Sequence, residues 1–240
     1  MGFANEVLLT SLSIGIRMRD KKDDVFKQVD HYLSDLFSLE DSVLKETEAS
    51  IVQNGMPEHS VSANQGQFLL LLANMCNAET IVEVGTLGGY STTWLGRAIQ
   101  GRGRVISIEV DERFATVARQ NIERAGLSDC VDIRTGNAMD VLEQLDLQGR
   151  PIDLFFMDAD KPNYINYFNW ALKHARKGSL IIADNVIRDG KVLDADSTDE
   201  KVVGVRAYNA MLAQNDRVVT SVLQQVGTKD YDGIAISLVK

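Results

Sequence analysis

The sequence predicts an α/β fold, a mostly parallel sheet with helices on both faces, from three observations. After residue 79, five short β-rich runs alternate with stretches of helical period, the pattern of right-handed βαβ units. Ahead of them, apolar residues recur three and four apart, as in amphipathic helices. Near the C-terminus two more β-rich runs stand too close for a crossover helix between them, so at least one must run antiparallel.

The elements follow in order. Residues 1–22 read as an arm or a partner-contacting segment. Their apolar stretch, Val7 to Ile16, follows Glu6 and precedes Arg17 and Arg19, whereas a secretory signal carries its basic residues first. A single domain then spans 23–240, with N-terminal helices at 23–78 and an α/β core at 79–240. Val25, Phe26, Val29, Tyr32, Leu33, Leu36 and Phe37 outline a first helix, and Leu39 to Val52 a second. Ser62 and Gln65 form a capping box ahead of the apolar run Phe68 to Leu72, which opens a third. Strands are expected at Thr80–Val84, Arg104–Glu109, Val131–Arg134, Ile152–Met157 and Ser179–Ala183. A polar loop from Arg188 to Glu200 and one more helix lead to the last pair, Arg217–Gln225 and Gly233–Val239.

Composition narrows the functions. Thirty-four acidic against 25 basic residues leave a net charge of -9 in 240 residues, a poor surface for gripping nucleic-acid phosphates or anionic lipid broadly. Nucleic acid and membrane are therefore not expected as partners, and a small or cationic ligand suits better. No apolar run approaches the ~20 residues of a membrane span. Cys76 and Cys130 lack CxxC spacing, which points to reduced thiols and a cytoplasmic protein.

Ligands of open parallel sheets sit beyond the carboxyl ends of the strands. The first strand runs into Gly85-Thr86-Leu87-Gly88-Gly89-Tyr90-Ser91, a glycine turn opening a helix where a ligand can approach backbone amides. The second ends in Glu109, placed to accept from a ribose diol. This pair suits any adenosine cofactor, nicotinamide dinucleotides included, although their G-x-G-x-x-G fingerprint needs glycine where Leu87 stands. The fourth strand releases Asp158-Ala159-Asp160-Lys161 and the fifth Asp184-Asn185. Asp158, Asp184 and Asn185 thus offer hard oxygen ligands at one end of the sheet for Mg²⁺ or a similar ion. The same acidic residues also suit caps on the helices that follow. The histidines, His31, His59 and His174, are scattered.

These segments, with Gly66-Gln67-Phe68-Leu69 and Ala183-Asp184-Asn185-Val186, resemble in matching order the motifs of the cation-dependent O-methyltransferase family of caffeoyl-CoA and catechol O-methyltransferases. The resemblance covers roughly residues 55–240. It implies a class I S-adenosylmethionine-dependent methyltransferase fold, seven-stranded with an antiparallel last strand. It also implies that Val61, Glu83, Gly85, Thr86, Ser91, Glu109, Ala138, Asp158 and Asp160 bind S-adenosylmethionine. Asp158, Asp184 and Asn185 would hold a divalent cation (Mg²⁺, Mn²⁺ or Ca²⁺), and Lys161 would act as general base. Val61 stands where plant members carry threonine, and Asp189 where they carry asparagine at a substrate-side position, so their acyl-CoA substrate is not carried over. The expected partners are a small phenolic acceptor and a second copy of the chain. The loop Val186 to Asp199, with Gly190 as hinge, would cover the acceptor. Family relatives that methylate hydroxylated tRNA bases provide an alternative, and a nicotinamide oxidoreductase a more distant one.

Overall fold

A computed structural model describes residues 25–37 and 39–240; the expected arm at 1–22 lies outside them. Three helices come first, α1 (residues 25–36), α2 (Ser42–Gln53) and α3 (Ala63–Met75). Asp41 caps α2 by accepting from the Leu44 amide at 3.1 Å. Ser62 caps α3 by accepting from the Gln65 amide at 3.2 Å. Only this half of the anticipated capping box closes, because the Gln65 side chain turns toward the strand ends instead of back to Ser62.

Seven strands follow, β1 (Thr80–Val84), β2 (Arg104–Glu109), β3 (Val131–Thr135), β4 (Ile152–Met157), β5 (Ala175–Ala183), β6 (Val218–Gly227) and β7 (Asp230–Val239). They form one sheet in the order β3-β2-β1-β4-β5-β7-β6. β1 to β5 are parallel, and β7 slots antiparallel between β5 and β6. The expected class I methyltransferase architecture is therefore present. β1 and β4 are buried at every position, whereas β3 at the edge alternates, as central and edge parallel strands should.

The intervening helices are α4 (Tyr90–Ile99), α5 (Glu112–Arg124), α6 (Ala138–Gln144), α7 (Tyr164–His174) and α8 (Glu200–Gln214). On one face, Leu69 and Leu72 of α3, Trp94 and Leu95 of α4 and Ile122 of α5 pack on Ile81, Val105 and Phe156. On the other, Leu142 of α6, Phe168 of α7 and Tyr208 of α8 pack on Val82, Ile106 and Phe155. Side chains alternate between faces along a strand, so neighbours in β1 serve opposite cores. Strand boundaries differ from expectation at β3 and β6 by one or two residues, at β7, which begins at Asp230 rather than Gly233, and most at β5. β5 begins at Ala175, directly after α7, and its pairing shifts register between Ile152 and Leu154. Arg176, Lys177 and left-handed Gly178 (φ 90°) hid that opening from a reading based on apolar runs.

Among the described residues no helix is long and apolar enough to cross a membrane.

Candidate active site

The chain proceeds from β1 outward to β2 and β3, then returns to β4 and moves the other way to β5. The crevice between the carboxyl ends of β1 and β4 is thus a topological switch point, where open α/β sheets bind ligands. Backbone ladders continue one residue past the strands. Gly85 N–H donates to Ile108 O at 3.0 Å, Asp158 N–H to Val84 O at 2.9 Å and Asp184 N–H to Met157 O at 3.0 Å. Gly85, Asp158 and Asp184 therefore stand in a row along the sheet's carboxyl edge.

At Gly85 a side chain is excluded by the protein's own backbone. Its φ is 101°, and a Cβ would lie 2.1 Å from the Asp158 carbonyl oxygen. Gly85→Ala is accordingly expected to cost about 2–4 kcal/mol, the sum of left-handed strain and overpacking. It should also displace Asp158 from its place along the sheet edge. Thermal melts check this, and unaltered stability would refute the packing account.

Beneath the turn, register places Ser107 of β2 directly beside Glu83 of β1, both facing α4. The fully buried Glu83 carboxylate accepts from Ser91 (2.6 Å), Thr92 (2.5 Å) and Ser107 (2.6 Å). Ser107 in turn lies 2.6 Å from the Thr86 hydroxyl, which ties the turn to the same buried cluster. Burial pushes the Glu83 carboxyl up from 4.5 to about 7, against the three hydroxyl bonds, with the Asp158 charge adding to the rise. Between those values the folded chain keeps a proton that the unfolded chain releases. The stability this proton provides is complete below 4.5 and lost as pH rises through about 7, up to about 3 kcal/mol. The Tm should fall by several degrees over that window. Glu83→Gln should flatten the fall, and a fall of unchanged size would assign it to other groups.

Glu109 is oriented by its own surroundings. Oε2 accepts from the Leu87 amide at 2.8 Å and Oε1 from the Asp111 amide at 3.0 Å, leaving lone pairs toward the cleft for hydroxyl donors. Leu87 adopts φ 50°, so the turn is left-handed where a dinucleotide fingerprint would have glycine.

β4 and β5 pair Met157 with Ala183, which sets Asp158 next to Asp184, with Asn185 beyond in the left-handed region (φ 56°). Burial and then the Asp158 charge push the Asp184 carboxyl upward, opposed by the Lys161 charge and the Asn185 amide. Lys161, 5% exposed, extends Nζ between them, 2.9 Å from Asp158 Oδ1. It also donates to the Tyr164 hydroxyl at 2.6 Å, which donates onward to the Asp184 carbonyl at 2.9 Å. The Gln65 amide lies close enough to lower Asp184, yet its buried Nε2 makes no bond of regular geometry. Two carboxylates and a carboxamide with one ammonium among them leave negative charge uncompensated. This donor set fits a hard divalent ion.

One cleft of about 1570 Å³ gathers Val61, Gly85, Thr86, Ser91, Glu109, Ala138, Asp158, Asp160, Lys161, Asp184 and Asn185 on its wall. Glu83 is not on that wall; it lies underneath and holds the turn. Sequence reading missed the supports, namely Gln65, Ser107, Tyr164 and Tyr167, the last of which donates to Asp160. Only spacing hinted at them: Tyr164 and Tyr167 stand three and six residues past Lys161. The loop after Asn185 is tied at both ends. Ile187 and Arg188 amides donate to Asp232 Oδ1 at 2.9 and 2.8 Å, and Arg206 donates to the Asp194 and Ala195 carbonyls at 3.0 and 2.7 Å.

Comparison with known proteins agrees with this geometry. A family model described as O-methyltransferase matches residues 34–238. Catechol O-methyltransferase of Niastella koreensis is 53% identical over 219 residues, 91% of this chain and 99% of that relative. Catechol O-methyltransferase of Mycobacterium tuberculosis is 41% identical over 212 residues, 88% of this chain and 95% of that relative. An O-methyltransferase from Bacillus cereus, solved in complex with SAH, superposes with a TM-score of 0.88 at 45% identity, covering 91% of this chain and 100% of that one. The Streptomyces achromogenes O-methyltransferase involved in tomaymycin synthesis, solved with SAM, gives 0.87 at 41% identity, covering 91% and 98%. Matched in sequence and in structure along nearly its whole described length, the chain belongs to the O-methyltransferase family.

Proposed function

We propose that this enzyme transfers the methyl group of S-adenosylmethionine to a hydroxyl of a catechol-like or hydroxycinnamoyl-type small molecule, with Asp158, Asp184 and Asn185 holding a divalent cation, Mg²⁺ before Mn²⁺ or Ca²⁺. The observation that carries this reading is the convergence of those three oxygen donors and the buried Lys161 at adjacent strand ends, beside the turn whose Gly85 touches Asp158. The relatives named as catechol O-methyltransferases and the solved relatives holding SAM or SAH support it.

A divalent cation, when bound, supplies Lewis acidity that lowers the pKa of a phenol from its usual ~10 and fixes two vicinal oxygens. The remaining work falls to the chain. Glu109 accepts ribose hydroxyls with its free lone pairs, Ala138 borders the adenine, and Asp160, steadied by Tyr167 and Asn163, attracts the ammonium of the methionine part. Val61, Thr86 and Ser91 shape the floor, with Glu83 supporting the last two. Lys161 accepts the phenolic proton at Nζ, held in place by Tyr164. Because nucleophile and methyl donor carry opposite charge, positioning and exclusion of water supply most of the acceleration.

The test uses labelled S-adenosylmethionine with catechols, hydroxycinnamoyl esters and bulk tRNA, with and without chelator. Catechols should be labelled and chelator should abolish the label. Full activity in excess chelator would remove the cation from the reaction, and labelling of tRNA alone would favour the nucleic-acid alternative. A cytoplasmic homodimer completes the reading. It is supported by exposed apolar side chains at two separate places, Tyr32, Leu36 and Phe37 at the end of α1 and Val219 on edge strand β6, of the kind found at association surfaces. Sedimentation should give twice the chain mass.

A further inference from the structure

Arg188 stands on the cleft wall three residues past Asn185, so its Cα lies within ~11 Å of that ligand's. Its backbone is fixed in an uncommon state. Asn185, Arg188 and Asp189 all have φ between 54° and 56°, unfavourable for side-chain-bearing residues. The loop is held there by other groups. Asp232 Oδ1 accepts from the Ile187, Arg188 and Gly233 amides at 2.9, 2.8 and 2.9 Å, and Asn209 donates to the Val186 carbonyl at 2.9 Å. Strain maintained in this way by several independent bonds directs attention to the side chain it aims.

That side chain is only loosely paired, by an ion pair with Asp232. Its Nε is buried with no hydrogen-bond partner, and the nearest carboxylate oxygen, Asp232 Oδ2, lies 4.0 Å from Nη1, beyond hydrogen-bond length. The other Asp232 oxygen is occupied by the three amides. Lys191 and Lys201 line the same cleft, together with Asp189 and Asp232. A planar guanidinium with open donors matches a carboxylate in geometry as well as charge.

We propose that the methyl acceptor carries a carboxylate, on its ring or at the end of a short substituent, and that Arg188 reads it. The inference rests on the phenolic-acceptor reading and narrows it to catecholic acids. With hydroxyls toward Asp158, Asp184 and Asn185, the rest of the acceptor lies in the cleft whose wall Arg188 lines, so the guanidinium sets which acceptors bind and which way round they lie. Arg188 is a specificity-determining residue here and takes no part in proton or methyl transfer.

The experiment compares 3,4-dihydroxybenzoate, its uncharged amide and unsubstituted catechol as acceptors for wild type and Arg188→Met. Wild type should favour the acid over the amide by about 10- to 100-fold in kcat/KM, the span of a charge-assisted hydrogen bond. Arg188→Met should erase that preference while turning over catechol as before, and Arg188→Lys should restore part of it. In wild type alone, rising salt should raise KM for the acid and leave the amide unaffected, a readout independent of whether the variants fold. Equal use of acid and amide by wild type overturns the inference, as does an Arg188→Met loss shared equally by all three acceptors. In either case, turnover of catechol shows that the parent reading survives; failure of every catechol overturns both.

Discussion

Asp184→Ala is expected to lower methyl transfer by about 10³-fold while S-adenosylmethionine still binds. A metal ion acting as Lewis acid contributes several kcal/mol, and about 4 kcal/mol corresponds to three orders of magnitude in rate. Asp184 is the most buried member of the oxygen set, at 4% exposure, and its carboxyl is pushed up by burial and by Asp158. The carboxylate is thus held at a cost to the fold, which a bound cation would offset. Removing it should therefore not destabilise the metal-free protein. Asp184→Asn preserves shape and removes the charge, so its Tm should match or exceed that of wild type while its activity falls. Assays at saturating Mg²⁺, paired with melts and calorimetry, decide the matter. Near-wild-type turnover by Asp184→Asn would show that the residue is not a ligand.

The second large effect is expected from Lys161→Arg, with a kcat loss of roughly 10² or more and little change in S-adenosylmethionine affinity. Arginine keeps the charge, but its pKa above ~12 prevents it from accepting a proton near neutrality. The pocket adds a steric demand, because Lys161 Nζ fits between Asp158 and the Tyr164 hydroxyl at 2.9 and 2.6 Å. The choice of acceptor separates the two causes. A nitrocatechol arrives partly ionised and needs no base, so the loss should shrink if proton acceptance is the defect and persist if the guanidinium merely disturbs the site. A near-normal rate on ordinary catechol would send the proton directly to water.

Much of this was legible in one dimension because strand ends release their residues at predictable places. β1, β2 and β4 begin and end where alternation and apolar runs placed them, and parallel βαβ connectivity obliges Gly85, Glu109, Asp158 and Asp184 to emerge from the same edge. Family membership leaves no place for the nicotinamide alternative. Glu83 was harder to place. Its motif position suggested cofactor contact, whereas side-chain alternation points it toward α4, where Ser91, Thr92 and Ser107 take up its oxygens. Gly85 was read as room for a ligand, but the first atom in that space is the Asp158 carbonyl oxygen.

The amino-acid sequence by itself thus determined the element order, the parallel core and the oxygen-bearing residues that converge, because these follow from hydrophobic period and chain connectivity, both local or topological. Only the tertiary structure decided who supports whom. The insertion of β7 beside β5, the burial of Lys161 against Tyr164, the turning of Gln65 toward Asp184 and the clamp of Asp232 on the Arg188 loop join residues from 3 to 119 positions apart. Such pairings depend on register, twist and the filling of space between layers, which periodicity along the chain does not encode.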